Sequence, residues 1–233
     1  IGNTTTNQVE FDGTRYNIAG NVTVESKSGS HIDFTGADPS FTATGAGSTI
    51  TFSTGTIEIA ATGLTMSSNN GNISLGAIEG THDEDLSINA GSGTLAVGAI
   101  GATEVEGINT VALTSSTSTT LSGDIVTSNA AGNTVTITGP TIISGAVDID
   151  TDNATDGNIQ FTSTIVGDGS AGTTDNLTID SGGGTITFGG TIGVSAPIAA
   201  LNINQDGGAV ALTIPQIGTA GANAGTSGVA NIG

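Results

Sequence analysis

Short apolar pairs with one polar residue between them recur along this chain, and they restrict its fold more than any other feature. One series of pairs begins at Leu86, Val111, Val135, Ile159, Ile186 and Val210. Alternation of apolar and polar residues over a short run is typical of a β-strand with one buried face. No segment shows apolar residues at helical spacing, and the abundant Thr and Ile disfavour helix. The sequence therefore predicts an all-β protein.

Successive pairs of this series are separated by a period of about 24 residues, which matches one turn of a parallel β-solenoid. In that fold two or three short strands of each turn stack on those of the next turn. The paired apolar residues are expected to point inward, and Thr, Ser, Asn and Asp outward. Gly is expected at the corners, where a positive φ costs it little. We therefore predict a parallel β-solenoid of about ten turns, with about 24 residues per turn.

A tandem of β-sandwich domains is the alternative fold. Asp-Gly and Asn-Gly pairs, such as Asp12-Gly13 and Asn70-Gly71, are typical of β-hairpins and favour it. The composition disfavours it, because the chain has no Trp and one Tyr from which to build a sandwich core. The repeat also continues through the middle and C-terminal parts without a linker, which favours the solenoid.

The repeats divide the chain into two parts. Residues 49–233 are predicted to form the solenoid, either as an excerpt of a longer chain or as a subunit that stacks on its copies. Residues 1–48 fit the period least well and contain Arg15, Tyr16 and Lys27. We expect this N-terminal part to be irregular or to cap the solenoid, or else to be continuous with it.

The charge of the chain excludes several classes of partner. It has 21 Asp and Glu residues against 2 Lys and Arg residues, for a formal net charge of −19 at pH 7. Nucleic acid and anionic membrane surfaces are excluded because both require clustered basic side chains. No run of 18 apolar residues occurs, so membrane insertion through a helix is not predicted. The absence of Cys removes disulfides and thiolate chemistry.

The best metal candidate lies at residues 148–157, where three Asp residues alternate with other residues and a fourth follows. Hard cations bind several carboxylate and carbonyl oxygens. The alternation is similar to the opening of an EF-hand loop, but the positions that need Gly and a bidentate Glu hold other residues. Two interpretations stay open: an exposed acidic turn, or a Ca²⁺ site formed by Asp148, Asp150, Asp152 and Asp156. No other cofactor is expected.

A carbohydrate-active enzyme is a further alternative, because lyases and hydrolases also use β-helices. A lyase needs a basic residue at its site, and both basic residues lie outside the repeats. A hydrolase needs carboxylates facing one cleft, whereas the alternating Asp residues fit a solvated strand face. His31 and His82 lack a recognisable catalytic partner, and residues 82–85 are expected to form an exposed acidic loop. We therefore predict that the protein is not an enzyme.

Two blocks near the C-terminal end carry a resemblance to a known family. Residues 184–188 (GTITF) are followed by residues 196–203 (APIAALNI). In composition and period, residues 50–233 resemble filamentous-haemagglutinin-type proteins, which are very large bacterial surface or secreted adhesins. The resemblance implies a right-handed parallel β-helix, export across the outer membrane, and a role in adhesion or structural display.

The repeat and the resemblance together predict a non-enzymatic extracellular β-solenoid at the bacterial cell surface. It is expected to form a stalk, filament or surface layer of a large surface protein, and to present an adhesive surface. Its expected partners are other copies of itself, flanking repeats of the same chain, and another cell surface. The alternative function is a calcium- or ligand-binding adhesion module made of tandem β-sandwiches, and a carbohydrate-active β-helix enzyme is the third.

Overall fold

The computed structural model of the protein describes residues 2, 5, 7–101, 107–170, 174–204 and 212–218, and the backbone of 229–232. In this part the chain is all-β, and its parallel strands stack about 24 residues apart. The described residues include no helix that is long and apolar enough to cross a bilayer. The predicted parallel β-solenoid is therefore confirmed, and the tandem β-sandwich is wrong.

Each turn of the solenoid contributes strands to three faces, which we number in the order in which the chain visits them. Face 1 contains a four-stranded and a five-stranded sheet, made of β1 (Gln8–Phe11), β4 (His31–Phe34), β7 (Thr56–Ile59), β10 (Ile78–Gly80), β15 (Ile125–Val126), β18 (Ala146–Asp150), β21 (Asn176–Asp180), β23 (Ala200–Asn204) and β24 (Val229–Ile232). Face 2 is an eight-stranded sheet made of β2 (Arg15–Ile18), β5 (Ser40–Ala43), β8 (Gly63–Ser68), β11 (Glu84–Asn89), β13 (Ile108–Thr114), β16 (Thr134–Thr138), β19 (Asn158–Phe161) and β22 (Ile186–Phe188). Face 3 is a seven-stranded sheet made of β3 (Val22–Glu25), β6 (Ile50–Thr54), β9 (Ile73–Leu75), β12 (Leu95–Val97), β14 (Thr119–Leu121), β17 (Thr141–Ile143) and β20 (Ile165–Gly167).

The two sheets of face 1 are joined through Ile100, which bridges to Ile78 in the preceding turn and to Ile125 in the following turn. The result is a stack of about eight turns. At a strand spacing of about 4.8 Å, eight turns span roughly 38 Å. The described residues therefore form fewer turns than the ten expected for the whole chain. The step from Val147 to its partner Leu177 is longer than the predicted period.

Inward side chains stack on their equivalents one turn away and form continuous apolar ladders. Along face 2 one such ladder reads Tyr16, Phe41, Met66, Ile88, Leu113, Ile137, Phe161 and Phe188. The members from Phe41 to Phe161 are completely buried. Removing apolar surface from water contributes roughly 25 cal/mol per Å², so each added turn extends one core and stabilises its neighbours.

Aromatic side chains concentrate in the first two turns. The rings of Phe11 and Phe34, which are paired in register on face 1, stack at 4.9 Å with an interplanar angle of 13°. Phe41 and Phe52 pack edge-on against each other at 5.5 Å. The strands before residue 48 pair with those that follow, as β5 does with β8. The domain division at residue 48 stays a prediction.

Asn side chains form hydrogen bonds between consecutive turns. In each case the side-chain Oδ1 accepts a hydrogen bond from a Thr backbone N–H in the next turn. The donor–acceptor distances are 3.0, 2.9 and 2.8 Å for the pairs Asn21–Thr49, Asn72–Thr94 and Asn158–Thr185. Asn70, in a pair that resembles a hairpin turn, has a φ of 64° and lies at the corner between β8 on face 2 and β9 on face 3. The Asn-Gly signal therefore marks a corner of the solenoid here.

Candidate functional site

The predicted calcium ligands lie on and just after β18, on the outer side of face 1. Asp148 and Asp150 occupy alternate positions of this strand, separated by the buried Ile149. Asp152 and Asp156 are exposed in the turn that leads to β19. The Asp152 N–H donates to Oδ1 of Asp150 at 2.9 Å, which is the local bond by which Asp residues form turns.

Asp152 and Asp156 approach each other over Gly182, which belongs to the next turn. A Cβ atom on Gly182 would lie 2.5 Å from Oδ1 of Asp152 and 2.6 Å from Oδ1 of Asp156. Both carboxylate oxygens therefore border the space that a side chain at position 182 would fill. Convergent oxygens of this kind suit a hard cation.

Asp148 lies among other carboxylates, which we call the Asp148 cluster: Asp148, Asp124, Asp150 and Asp180. Partial burial raises the pKa of the Asp148 carboxyl group above its ordinary value of 3.8, and the charges of Asp150, Asp124 and Asp180 raise it further. Oδ1 of Asp124 accepts a hydrogen bond from the Asp148 N–H at 2.8 Å. Asp150 and Asp180 are paired in register on β18 and β21. Like charges are thus held together by the parallel stacking of turns.

The four predicted ligands do not converge as one compact set. Among the described residues, only His31, Asp33 and Glu58 bring three candidate ligand atoms within 4.8 Å of one another. Ca²⁺ also takes carbonyl and water oxygens, so two converging Asp residues satisfy part of its coordination. The Ca²⁺ site at Asp148, Asp150, Asp152 and Asp156 therefore stays a prediction, with the exposed acidic turn as its alternative.

A second row of carboxylates follows the N-terminal half of face 1. Glu10, Asp33, Glu58 and Glu79 occupy equivalent outward positions in four successive turns. Each of these residues lies directly opposite the next on a neighbouring strand. Like charges directly opposite each other in a sheet are destabilising. We call this row the acidic ladder.

His31 lies beside this ladder and brings a nitrogen to it. His31 and Asp33 both belong to β4, and Glu58 lies opposite Asp33 on β7. The Nδ1 atom of His31 is 3.0 Å from Oε2 of Glu58 and 4.0 Å from Oδ1 of Asp33. The His31 side chain is 47% exposed, whereas that of Asp33 is only 7% exposed. We call His31, Asp33 and Glu58 the His31 cluster.

The two oxygens of Asp33 have different surroundings. Oδ2 accepts a hydrogen bond from the side-chain amide of Gln8, which lies on the neighbouring strand β1. Oδ1 is buried and has no hydrogen-bond partner. A buried carboxylate oxygen without a partner is costly, because it has lost its contact with water and gained nothing in return. Oδ1 is the oxygen that faces His31.

The His31 cluster was not predicted from the sequence, where His31 lacks a catalytic partner motif. The available signal was the repeat itself, because His31 and Asp33 alternate on one strand and Glu58 follows Asp33 by roughly one period. A step of 24 residues from Asp33 reaches Ile57, one residue short of Glu58, so the average period alone does not give this register.

The acidic loop at residues 82–85 is held by one of its own carboxylates. Glu84 is 1% exposed, and its Oε1 accepts hydrogen bonds from the Thr81 N–H at 2.9 Å and the His82 N–H at 2.6 Å. His82 itself is exposed. The expected exposed loop is therefore correct for His82 and wrong for Glu84, the buried first residue of β11, whose side chain closes the preceding turn.

A depression of about 300 Å³ on face 2 is the place where an enzymatic alternative would be sought. Its lining includes Asp38, Leu64 and Asp85. Both carboxylates already accept hydrogen bonds, since Thr62 Oγ1 donates to Asp38 and Thr110 Oγ1 donates to Asp85 at 2.6 Å. These bonds are typical of a structural role on the outer face of a sheet.

A scan against protein-family models, a search of curated proteins and a search of solved structures each found no match to this chain.

Proposed function

We propose that this chain is a non-enzymatic structural and adhesive β-solenoid of the bacterial cell surface. The observation that carries the proposal is that the described residues stack in about eight turns over one apolar core. Such a stack is a stiff spacer, because each turn is held by both of its neighbours. The outward side chains are mainly small and polar, and a stalk, filament or surface layer presents them as a repeating surface.

The resemblance of residues 50–233 to filamentous-haemagglutinin-type repeats supports the same proposal. It rests on the period, on the abundance of Gly and Thr, and on blocks such as residues 184–188. The resemblance favours a location outside the cell, as part of a large exported surface protein. The partners we propose are further turns of the same chain or another copy stacked on its end, together with a second cell surface.

The charge of the chain fits an extracellular spacer. The formal net charge is −19, with Arg15 and Lys27 as the only basic residues apart from the two His. In-register stacking adds carboxylate to carboxylate, as in the acidic ladder. Repulsion between such surfaces keeps neighbouring rods from bundling, and it is screened over about 8 Å at physiological ionic strength. Cations in the medium are therefore expected to stabilise the protein.

A calcium-dependent binding module is the second candidate function. The observation that favours it is the convergence of Asp152 and Asp156 over Gly182. In that case Ca²⁺ would order the turn after β18 for contact with a ligand. A saturable Ca²⁺ isotherm with a small number of sites supports this function, whereas weak and unsaturated uptake supports the structural one.

Electron microscopy and sedimentation velocity of the purified chain test the structural proposal, each in millimolar Ca²⁺ and again in EDTA. We expect the stacks to join end to end into thin fibres whose axial repeat is a multiple of about 4.8 Å. Particles that lengthen with protein concentration indicate stacking of copies. Particles that stay the size of one chain at every protein concentration in both conditions would overturn the proposed self-assembly.

A further inference from the structure

The His31 cluster brings three potential metal ligands from two neighbouring turns to one point on the outer side of face 1. His31 and Asp33 come from β4, and Glu58 comes from β7. We propose that these three residues bind one divalent transition-metal ion, with Zn²⁺ as the reference ion. The ion connects the two turns through side chains, in addition to the backbone hydrogen bonds of the sheet.

The distances between the ligand atoms fit such an ion. Zn²⁺ binds His nitrogen and carboxylate oxygen at about 2.0–2.2 Å, so two ligands of a tetrahedral ion lie about 3.3 Å apart. The Nδ1 atom of His31 is 3.0 Å from Oε2 of Glu58 and 4.0 Å from Oδ1 of Asp33. These values lie on either side of the required separation, and small side-chain rotations bring all three atoms to it. A water molecule supplies the fourth ligand.

The buried oxygen of Asp33 is a second, independent observation that favours a bound ion. Gln8 already donates to Oδ2 and thereby orients the carboxylate. Oδ1 is buried without a partner and faces His31 across 4.0 Å. That gap is too long for a hydrogen bond and suits an ion between the two atoms. The Gln8 bond is the kind of outer contact that holds a ligating carboxylate in place.

The acidic ladder supplies the electrostatic reason for a cation at this position. Asp33 and Glu58 lie opposite each other, with Glu10 and Glu79 one turn further on either side. One divalent ion between Asp33 and Glu58 balances two of these four charges. It converts a destabilising contact between like charges into two bonds to the same ion.

The chemistry of the donors selects the class of ion. Imidazole nitrogen binds Zn²⁺ and other late first-row metals, whereas Ca²⁺ and Mg²⁺ prefer oxygen alone. The His31 cluster therefore differs from the all-carboxylate Asp148 cluster. His31 is half-exposed, which gives an ion access from solvent.

Calorimetric titration of the metal-free full chain with ZnCl₂ tests the proposal. We expect one tight Zn²⁺ site per chain, and at least a tenfold weaker affinity in His31→Gln. His82→Gln is the matched control, because the chain has only two His residues and His82 is also exposed beside carboxylates. The control is expected to bind Zn²⁺ as the unmodified chain does. Equal affinity in His31→Gln and the unmodified chain would overturn the proposal.

Nuclear magnetic resonance of the unmodified chain gives a readout that needs no variant. Two His residues yield two sets of imidazole signals, which the two Gln variants assign. One equivalent of Zn²⁺ is expected to shift the His31 signals and leave those of His82 in place, and millimolar Ca²⁺ is expected to leave both in place. His31 signals that do not respond to Zn²⁺ would mean that His31 only forms an ion pair with Glu58. That result would overturn the metal site without affecting the proposed structural function.

Discussion

Thr119 and Thr141 lie directly opposite each other on β14 and β17, inside an otherwise aliphatic ladder of face 3. Leu95 precedes them in the same register, and Ile165 follows. Both Thr side chains are completely buried, and neither Oγ1 atom has a hydrogen-bond partner. Each hydroxyl group has therefore lost its contact with water without gaining a bond, at a cost of about 1–3 kcal/mol.

Replacing either of these residues by Val is expected to stabilise the protein. Val has nearly the shape of Thr and carries no hydroxyl, so Thr119→Val and Thr141→Val should each raise the free energy of unfolding by about 1 kcal/mol. Thr120→Val, a partly exposed neighbour on β14, serves as the control and should change it by less than about 0.5 kcal/mol. Denaturant unfolding followed by circular dichroism measures all three. Loss of stability in both buried variants would show that the hydroxyls have partners in solution.

Gly139 and Gly132 form a matched pair for testing the corners of the solenoid. Their φ angles are 102° and 93°. A Cβ atom on Gly139 would lie 1.8 Å from the backbone oxygen of Ser115, whereas one on Gly132 would have no heavy atom within 4 Å. Gly132→Ala therefore adds backbone strain of about 1–2 kcal/mol. Gly139→Ala adds a collision with the preceding turn and should cost about 3 kcal/mol or more. Equal melting temperatures for the two variants would contradict this explanation.

The raised pKa of Asp148 predicts how stability depends on pH. Because the folded-state pKa lies above the ordinary value of 3.8, the folded protein binds this proton more tightly than the unfolded chain. Ionising Asp148 therefore costs stability as the pH rises from about 4 through the folded-state pKa, and the cost is constant above it. Asp148→Asn removes this cost. We expect it to raise the melting temperature at pH 7 and to have no such effect below pH 4.

Because Asp148 is partly exposed, the gain should stay within about 1 kcal/mol. Asp83→Asn, at an exposed position in the loop after β10, is the control. Its melting temperature should follow that of the unmodified chain across the same pH range. If Asp148→Asn and Asp83→Asn have the same pH profile, the repulsion within the Asp148 cluster is negligible in solution.

Calcium titration separates the two interpretations of the turn after β18. If Ca²⁺ binds where Asp152 and Asp156 converge, Asp152→Asn and Asp156→Asn should each weaken its affinity about tenfold or more. They should also remove most of the increase in melting temperature that Ca²⁺ produces. Asp83→Asn should keep both effects. An unchanged isotherm in all three variants would establish an exposed acidic turn that attracts cations only through its charge.

Much of the fold follows from local patterns in the sequence. Alternation in pairs such as Val135 and Ile137 predicts which side of a strand is buried, and both residues are indeed in the core. The regular recurrence of such pairs predicts parallel stacking. The burial of Thr119 and Thr141 was not predicted, because Thr was expected at outward positions. Alternation does place Thr119 on the same side of β14 as the buried Leu121, two residues later.

The sequence alone predicts the strands, their inward faces and the approximate length of a turn. These features follow from the alternation within each short segment and from the spacing between segments. Which outward side chains meet depends instead on the folded stack. The connections between strands differ in length, so the step from Ile57 to Ile78 is much shorter than the step from Val147 to Leu177. A shift of one residue moves a side chain to the other face of the sheet. The contact of His31 with Glu58 therefore required the register of the tertiary structure, as did the convergence of acidic side chains over Gly182.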